Sequence, residues 1–274
     1  MTPLSLKNRR IALAVCALLF ITIMPILILY TLGYRLGPGF HLVETGGLYI
    51  SAPFSGAEIY INERNMKHTN ILQYGFLFQN LKPGVYNILV NKEGYWPWSK
   101  ILKVEENLVT EGTAFLIPQN PTIKIIPKDD EGYNKIIDSF FNVLRPGTTT
   151  IERFAYRGRE RLSLNFKENK VRVEWLGDTQ DLPYYFCGDK DCDEERIIIE
   201  SPYSIRTMDF FPGRKDVIIV ALQNAIYAVE IDKRGGQMLQ PIYKGKKPVF
   251  IVRGNDPNIY ILDDKNLIQM NVLK

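Results

Sequence analysis

From Ile11 to Leu32 the chain reads IALAVCALLFITIMPILILYTL, without a single charged residue. As a helix rising ~1.5 Å per residue, such a stretch spans roughly 33 Å, about the thickness of a bilayer's hydrocarbon core. A cleaved secretion signal has a shorter apolar run of roughly 7 to 15 residues, closed by a small-x-small site. Tyr30-Thr31-Leu32-Gly33-Tyr34 is a poor cleavage site. Its tyrosines suit the headgroup layer instead, where an amphipathic ring finds one apolar and one wet side. Residues 11–33 therefore read as a transmembrane helix, kinked at Pro25, and as the chain's contact with the membrane. Lys7, Arg9 and Arg10 precede the span and only Arg35 lies close behind it. That bias predicts a cytoplasmic N-terminus at residues 1–10 and a single-pass protein of the cytoplasmic membrane with residues 36–274 outside.

The chain beyond the span is predicted to be mainly β. Hydrophobic residues make up 46% and aromatic residues 12% of the chain, more than a disordered chain carries. Tyr and Phe dominate the aromatic set, and together with many Ile and Val residues they suit a pleated, half-buried surface. The formal net charge is only +4. The short basic clusters Arg157-Gly158-Arg159-Glu160-Arg161 and Lys244-Gly245-Lys246-Lys247 read as solvated hairpin tips. A nucleic-acid partner, which needs a concentrated basic face, is not expected.

Beyond a linker at residues 34–46, short strands separated by turn residues fill residues 47–118, the pattern of a small β-sandwich. Ala57 to Asn62 alternates small or aliphatic with polar or aromatic residues, which buries one face. Asn80-Leu81-Lys82-Pro83-Gly84 is a turn feeding the strand Val85 to Val90, and Asn91-Lys92-Glu93-Gly94 is a second turn. Ile101 to Val104 and Thr113 to Ile117 read as closing strands. Along this segment the opening strand Gly47 to Ser51 leads to Pro53-Phe54-Ser55-Gly56-Ala57, then Pro83-Gly84-Val85-Tyr86, then Gly94-Tyr95. This order resembles the PEGA domain family. The resemblance implies a β-sandwich module of surface or envelope proteins, with Pro53, Gly56, Ala57, Pro83, Gly84, Tyr86, Gly94 and Tyr95 as structural motif residues and no catalytic residues. One departure is that Lys67-His68-Thr69-Asn70 lacks the proline of the family's turn, leaving the loop shape there open.

Tyr95-Trp96-Pro97-Trp98 is the most suggestive surface feature. Adjacent aromatics stack on sugar rings, so Tyr95, Trp96 and Trp98 are candidate contacts for a cell-wall glycan or an envelope protein. Strand alternation would instead send Trp96 and Trp98 to one face together, where core packing is the stronger reading.

Residues 119–149 read as a linker with a helix from Glu131 to Leu144. Its apolar stripe of Tyr133, Ile136, Ile137, Phe140, Phe141 and Leu144 packs on a neighbouring domain rather than the membrane. Residues 150–274 become strands again: 162–166, 170–175, 196–200, 216–221 and 225–232. Asn258 to Asp263 echoes Ala225 to Glu230 at a spacing near a propeller-blade period. This blade-like antiparallel region resembles a partial β-propeller of two or three blades. A closed propeller needs about four, so open sheet edges would pair with a partner or a second copy.

Cys187 and Cys192, in Cys-Gly-Asp-Lys-Asp-Cys, suit a small disulfide loop in an oxidising compartment. Cys16 lies in the span as a small apolar group. A zinc site lacks ligands, since His41 and His68 are distant, and Asp189, Asp191 and Asp193 lack the glycine and glutamate of a calcium loop. No metal and no cofactor is expected. No nucleophile-elbow or P-loop motif occurs, and Asp129-Asp130-Glu131 and Glu194-Glu195 read as solvated acidic loops, although a glycosidase pair is not readable from spacing. The chain is expected to be a non-enzymatic, membrane-anchored envelope module that binds or builds structure. The alternatives are a scaffold or sensory subunit of a membrane complex and a glycan-processing enzyme.

Overall fold

The computed structural model describes residues 6–36, 39, 41–143, 149–188, 191–254 and 256–273. Helix α1 (Leu6–Thr31) contains Pro25 and nearly the whole apolar run, and none of its residues is buried by protein. It is long and apolar enough to cross a membrane. Where a linker was expected, β1 (Tyr34–Leu36) and β2 (Leu42–Glu44) form a two-stranded antiparallel pair. The helix exit is stitched to the strands beyond it: the Gly33 carbonyl accepts the Thr45 backbone N–H at 3.1 Å and the Thr45 hydroxyl at 2.8 Å.

The segment expected to be a sandwich contains β3 (Gly46–Ser51), β4 (Glu58–Ile61), β5 (Asn65–His68), β6 (Gly75–Leu81), β7 (Gly84–Asn91), β8 (Tyr95–Trp96), β9 (Trp98–Val104), β10 (Val109–Thr113) and β11 (Ile117–Pro118). They form a three-stranded sheet of order β10-β3-β6, a four-stranded sheet of order β5-β4-β7-β9, and the short pair β8-β11. Strand β9 alternates strictly, burying Trp98, Lys100, Leu102 and Val104. The expected strand Thr113 to Ile117 is not one. Ala114, Phe115 and Leu116 are buried without belonging to a strand: the Ala114 carbonyl accepts from Arg214, and Phe115 lies edge-on to Phe211 at 5.2 Å.

The remaining chain builds three four-stranded antiparallel sheets. The first contains β13 (Thr150–Phe154), β14 (Glu160–Asn165), β15 (Lys170–Trp175) and β16 (Glu195–Glu200) in chain order. The second contains β17 (Ile205–Phe210), β18 (Val217–Leu222), β19 (Ala225–Glu230) and β20 (Leu239–Lys244), again in chain order. The third has the order β12-β23-β22-β21, made of β21 (Val249–Val252), β22 (Asn258–Asp263), β23 (Asn266–Asn271) and β12 (Thr122–Ile126). Strand β12 comes from the segment expected to be linker, and it sets Thr122 opposite Asn271. No closed ring of sheets forms among the described residues.

Packing explains the order of these layers. Leu162, Leu164, Val171 and Val173 of the first sheet meet Met208, Phe210, Ile218 and Val220 of the second in one core. On β18 every residue from Val217 to Ala221 is buried, as a strand covered on both faces requires. Strand β17 also contacts β21 of the third sheet. The helix α2 (Tyr133–Val143) then lays Ile136 and Phe140 on Ile126, Ile251, Tyr260 and Leu267 of that third sheet. Phe141 points away and is 71% exposed, and Leu144 lies outside the described residues. The opposite face of the first sheet carries charge: Arg161 pairs with Glu152 and Glu174, and Arg172 with Glu168 and Glu195. Arg161 thus sits on strand β14 rather than in a hairpin tip.

One polar cluster lies deep in this framework. Lys100 of β9 is 1% exposed, and its Nζ lies 3.2 Å from Glu230 Oε2 and 3.3 Å from Asp232 Oδ2, while donating to the Asp232 carbonyl at 2.7 Å. Trp98 Nε1 donates to Glu230 Oε1. Beside them the Ile101 N–H bonds the Gly235 carbonyl, and a Cβ on Gly235 would fall 1.7 Å from the Ile101 oxygen, so only glycine fits that approach. Burial outweighs the pull of Lys100 and pushes the Glu230 carboxyl up to about 7. Burial likewise pushes Asp209 up to about 6, against the opposing pull of Arg153, whose Nε lies 3.4 Å away.

Removing Lys100 strands two buried carboxylates. Lys100→Met should lower the unfolding free energy of the detergent-solubilised chain by ~3–5 kcal/mol in urea, and adding Glu230→Gln should recover most of it. Both raised carboxyls keep their protons longer in the folded than in the unfolded chain. Their stabilising effect is therefore full at low pH and is lost as pH rises, from 4.5 to about 7 for Glu230 and from 3.8 to about 6 for Asp209. Denaturation midpoints measured across this window should fall with rising pH, and Glu230→Gln should flatten the upper part of the slope.

Candidate functional site

The turn Asn91–Gly94 places the aromatic segment. Gly94 adopts φ 78°, which a residue with a Cβ resists, and the Tyr95 N–H returns to the Lys92 carbonyl at 3.1 Å. Strand β8 then pairs with β11, setting Trp96 opposite Ile117 and Tyr95 opposite Pro118. Gln119 closes the pair by donating from its backbone to the Gly94 carbonyl and from Nε2 to the Tyr95 carbonyl.

Tyr95 and Trp96 stay at the surface while Trp98 does not. The Tyr95 ring packs at 5.2 Å against Phe54, and Lys92 Nζ lies 4.9 Å from the Tyr95 ring centre and 5.4 Å from that of Phe54. Lys92 is held there by a 3.0 Å bond to the Ser55 carbonyl, and the Tyr95 hydroxyl donates to the Leu273 carbonyl at 3.2 Å. Trp96 is 45% exposed and Trp98 1%. The expectation that both tryptophans share a face fails because Pro97 ends β8 and β9 begins anew at Trp98, which breaks the alternation. What remains is a surface corner of Phe54, Lys92 and Tyr95, with the exposed Trp96 next along β8 and turned to the other face by strand alternation. Such a corner can stack on a sugar ring or seat an apolar side chain, with a fixed cation alongside.

The other motif residues build turns. Ala57 is buried and Gly56 takes φ 76°, while Pro53 stays exposed. Thr69, which stood in the sequence only as part of a loop lacking proline, fixes this turn. Its hydroxyl donates to the Phe54 carbonyl at 2.6 Å and accepts the Ala57 N–H at 2.8 Å. Pro83 and Gly84 connect β6 to β7, and the Tyr86 hydroxyl donates back to the Lys82 carbonyl.

Cys187 and Cys192 form a disulfide that closes a loop of sequence separation 5. Asp189 lies outside the described residues, and no group of three or more His, Cys, Asp or Glu side chains that could hold a metal gathers among the described residues. A cleft of about 270 Å³ opens where β13, β17 and β21 end, with Arg153, Phe154, Asp209 and Lys215 in its wall. Two of its cations are paired, Arg153 with Asp209 and Arg214 with Asp216 through two bonds of 2.7 Å, while Lys215 Nζ reaches the Arg157 carbonyl at 3.5 Å.

No curated protein matches the chain. Residues 45–119 match the PEGA domain family, a span that contains β3 to β11, the Thr69 turn and the aromatic corner. This segment of the chain is a PEGA domain.

Proposed function

We propose that the protein is a single-pass, membrane-anchored binding module of the cell envelope, without catalytic activity of its own, whose extracytoplasmic β domains engage a cell-wall glycan. The observation that carries this reading is the aromatic segment of β8, where Lys92, bound to the Ser55 carbonyl, lies over a Phe54–Tyr95 corner and the adjacent Trp96 ring is 45% exposed. The positive flank at Lys7, Arg9 and Arg10 supports a cytoplasmic N-terminus, and the Cys187–Cys192 disulfide suits an oxidising compartment outside it. The PEGA family is not an enzymatic one, and the interior ions Lys100, Glu230 and Asp232 are engaged with one another. The three four-stranded sheets, with β17 touching both β13 and β21, resemble consecutive blades of an open propeller.

A scaffold role is the second reading, and strand β12 favours it. It is the outer strand of its sheet, and it leaves Ile123 51% and Ile125 63% exposed. An apolar outer strand of this kind can add an extended segment of a protein partner or of a second copy.

Protease added to spheroplasts should digest residues 36–274 and spare an N-terminal fragment; protection of the β domains would reverse the topology. The solubilised chain should sediment with purified cell wall, and Trp96→Ala should weaken this by about tenfold, the loss of one ring contact worth ~1.4 kcal/mol. Retention by envelope proteins alone, unaffected by Trp96→Ala, would make the chain a scaffold subunit.

A further inference from the structure

The end of α1 opens into a cavity of about 670 Å³ walled by Leu32, Leu77, Leu108 and Val109, with Arg35 and Asn80 at its polar side. The four apolar residues are 55%, 46%, 56% and 53% exposed. Exposed leucines are ordinary when scattered, but these four surround one cavity. The cavity also includes Tyr30 and Thr31, the last turn of the apolar helix, so it is continuous with the surface that α1 presents to lipid. Gly33, fastened to Thr45 by two hydrogen bonds, holds the sheet residues at the helix exit.

Arg35 is fixed at the polar side. Its Nη1 donates to the carbonyls of Tyr30 and Tyr34 at 2.7 and 2.8 Å, its Nε donates to Asn80 Oδ1 at 2.6 Å, and its guanidinium lies 3.7 Å from the centre of the Tyr30 ring. Nη2 takes no protein acceptor among the described residues. A guanidinium held flat, with N–H groups left over, is suited to a phosphate. Apolar walls beside a phosphate donor, at the level where a transmembrane helix leaves the hydrocarbon, match the boundary between headgroup and acyl chain.

We propose that this cavity holds a phospholipid of the bilayer that α1 crosses, its phosphate at Arg35 and the upper part of an acyl chain against Leu32, Leu77, Leu108 and Val109. The lipid extends the anchor from a helix to the base of the PEGA domain. The proposal rests on the reading that α1 spans the membrane, and its test separates the two.

The full chain, with Cys16→Ala and either Leu108→Cys or Leu77→Cys carrying an environment-sensitive fluorophore, is reconstituted into vesicles of phosphatidylethanolamine and phosphatidylglycerol. Part of the lipid is brominated near the glycerol end of its acyl chains. Both labels should lose most of their emission relative to unbrominated vesicles. Labels that keep their emission in a chain that floats with the vesicles overturn the lipid site while sparing the anchor. Self-quenching between labelled copies in that case assigns the cavity to a second copy instead. A chain that does not float overturns both. In mass spectra of the gently solubilised protein, phosphatidylglycerol should stay bound, be lost from Arg35→Gln and return in Arg35→Lys. Equal retention in all three overturns the placement of the phosphate.

Discussion

The ammonium of Lys100 sits out of water between two carboxylates, and it ties β9 to the end of β19 and the turn that follows. A lone buried charge would be intolerable, so β9 must bring Lys100 to within reach of Glu230 and Asp232, and the β19 end must stay where it can receive it. Trp98 uses the remaining acceptor of Glu230, and Gly235 brings its carbonyl to the N–H of Ile101. A slip of β9 by one residue would turn Lys100 and the alternating Trp98, Leu102 and Val104 to the opposite face, so the ion pairs and the apolar alternation demand the same register.

The same logic of satisfied surfaces applies to the three sheets built by residues 122–271. A sheet face that is apolar on both sides demands another layer, as β18 shows. The outer sheets break this demand in different ways. The first turns a ladder of Arg161, Arg172 and their glutamates to solvent, which another apolar face could cover only by desolvating several ions. The third is covered by α2, whose Ile136 and Phe140 complete its core.

Much of this was legible in the chain because it obeys local rules. The apolar run, the turns at Pro83-Gly84 and Asn91–Gly94, the stripe of α2 and the alternation of β14 and β15 are periodic or carry turn residues, and these elements stand where the sequence puts them. Strand β12 was illegible for a physical reason: Thr122-Ile123-Lys124-Ile125-Ile126 pairs with β23, far along the chain, and nothing local marks a partner at that distance. Trp98 was only half legible, since alternation was the right rule but Pro97 resets its phase. Lys100 gave no signal at all, because a lysine between polar and apolar neighbours reads as a solvated strand position, and only its distant carboxylates reveal it as buried. Thr69 was hidden by attention to the proline its turn lacks, although a hydroxyl reaching two backbone groups closes that turn without one.

The splice of β12 onto β23 also sets a timetable. On the ribosome, and during export if the chain is threaded outward from its N-terminus, β12 emerges long before the strand it belongs to. Throughout that interval Ile123 and Ile125 travel with both strand edges bare, and α2 has only a fraction of its seat. The third sheet closes only when β23 arrives, so the last strand acts as a clasp for a layer begun well over a hundred residues earlier. A chain cut short before Asn266 would lose one strand and strand another, leaving fragments with exposed apolar edges that are prone to aggregate.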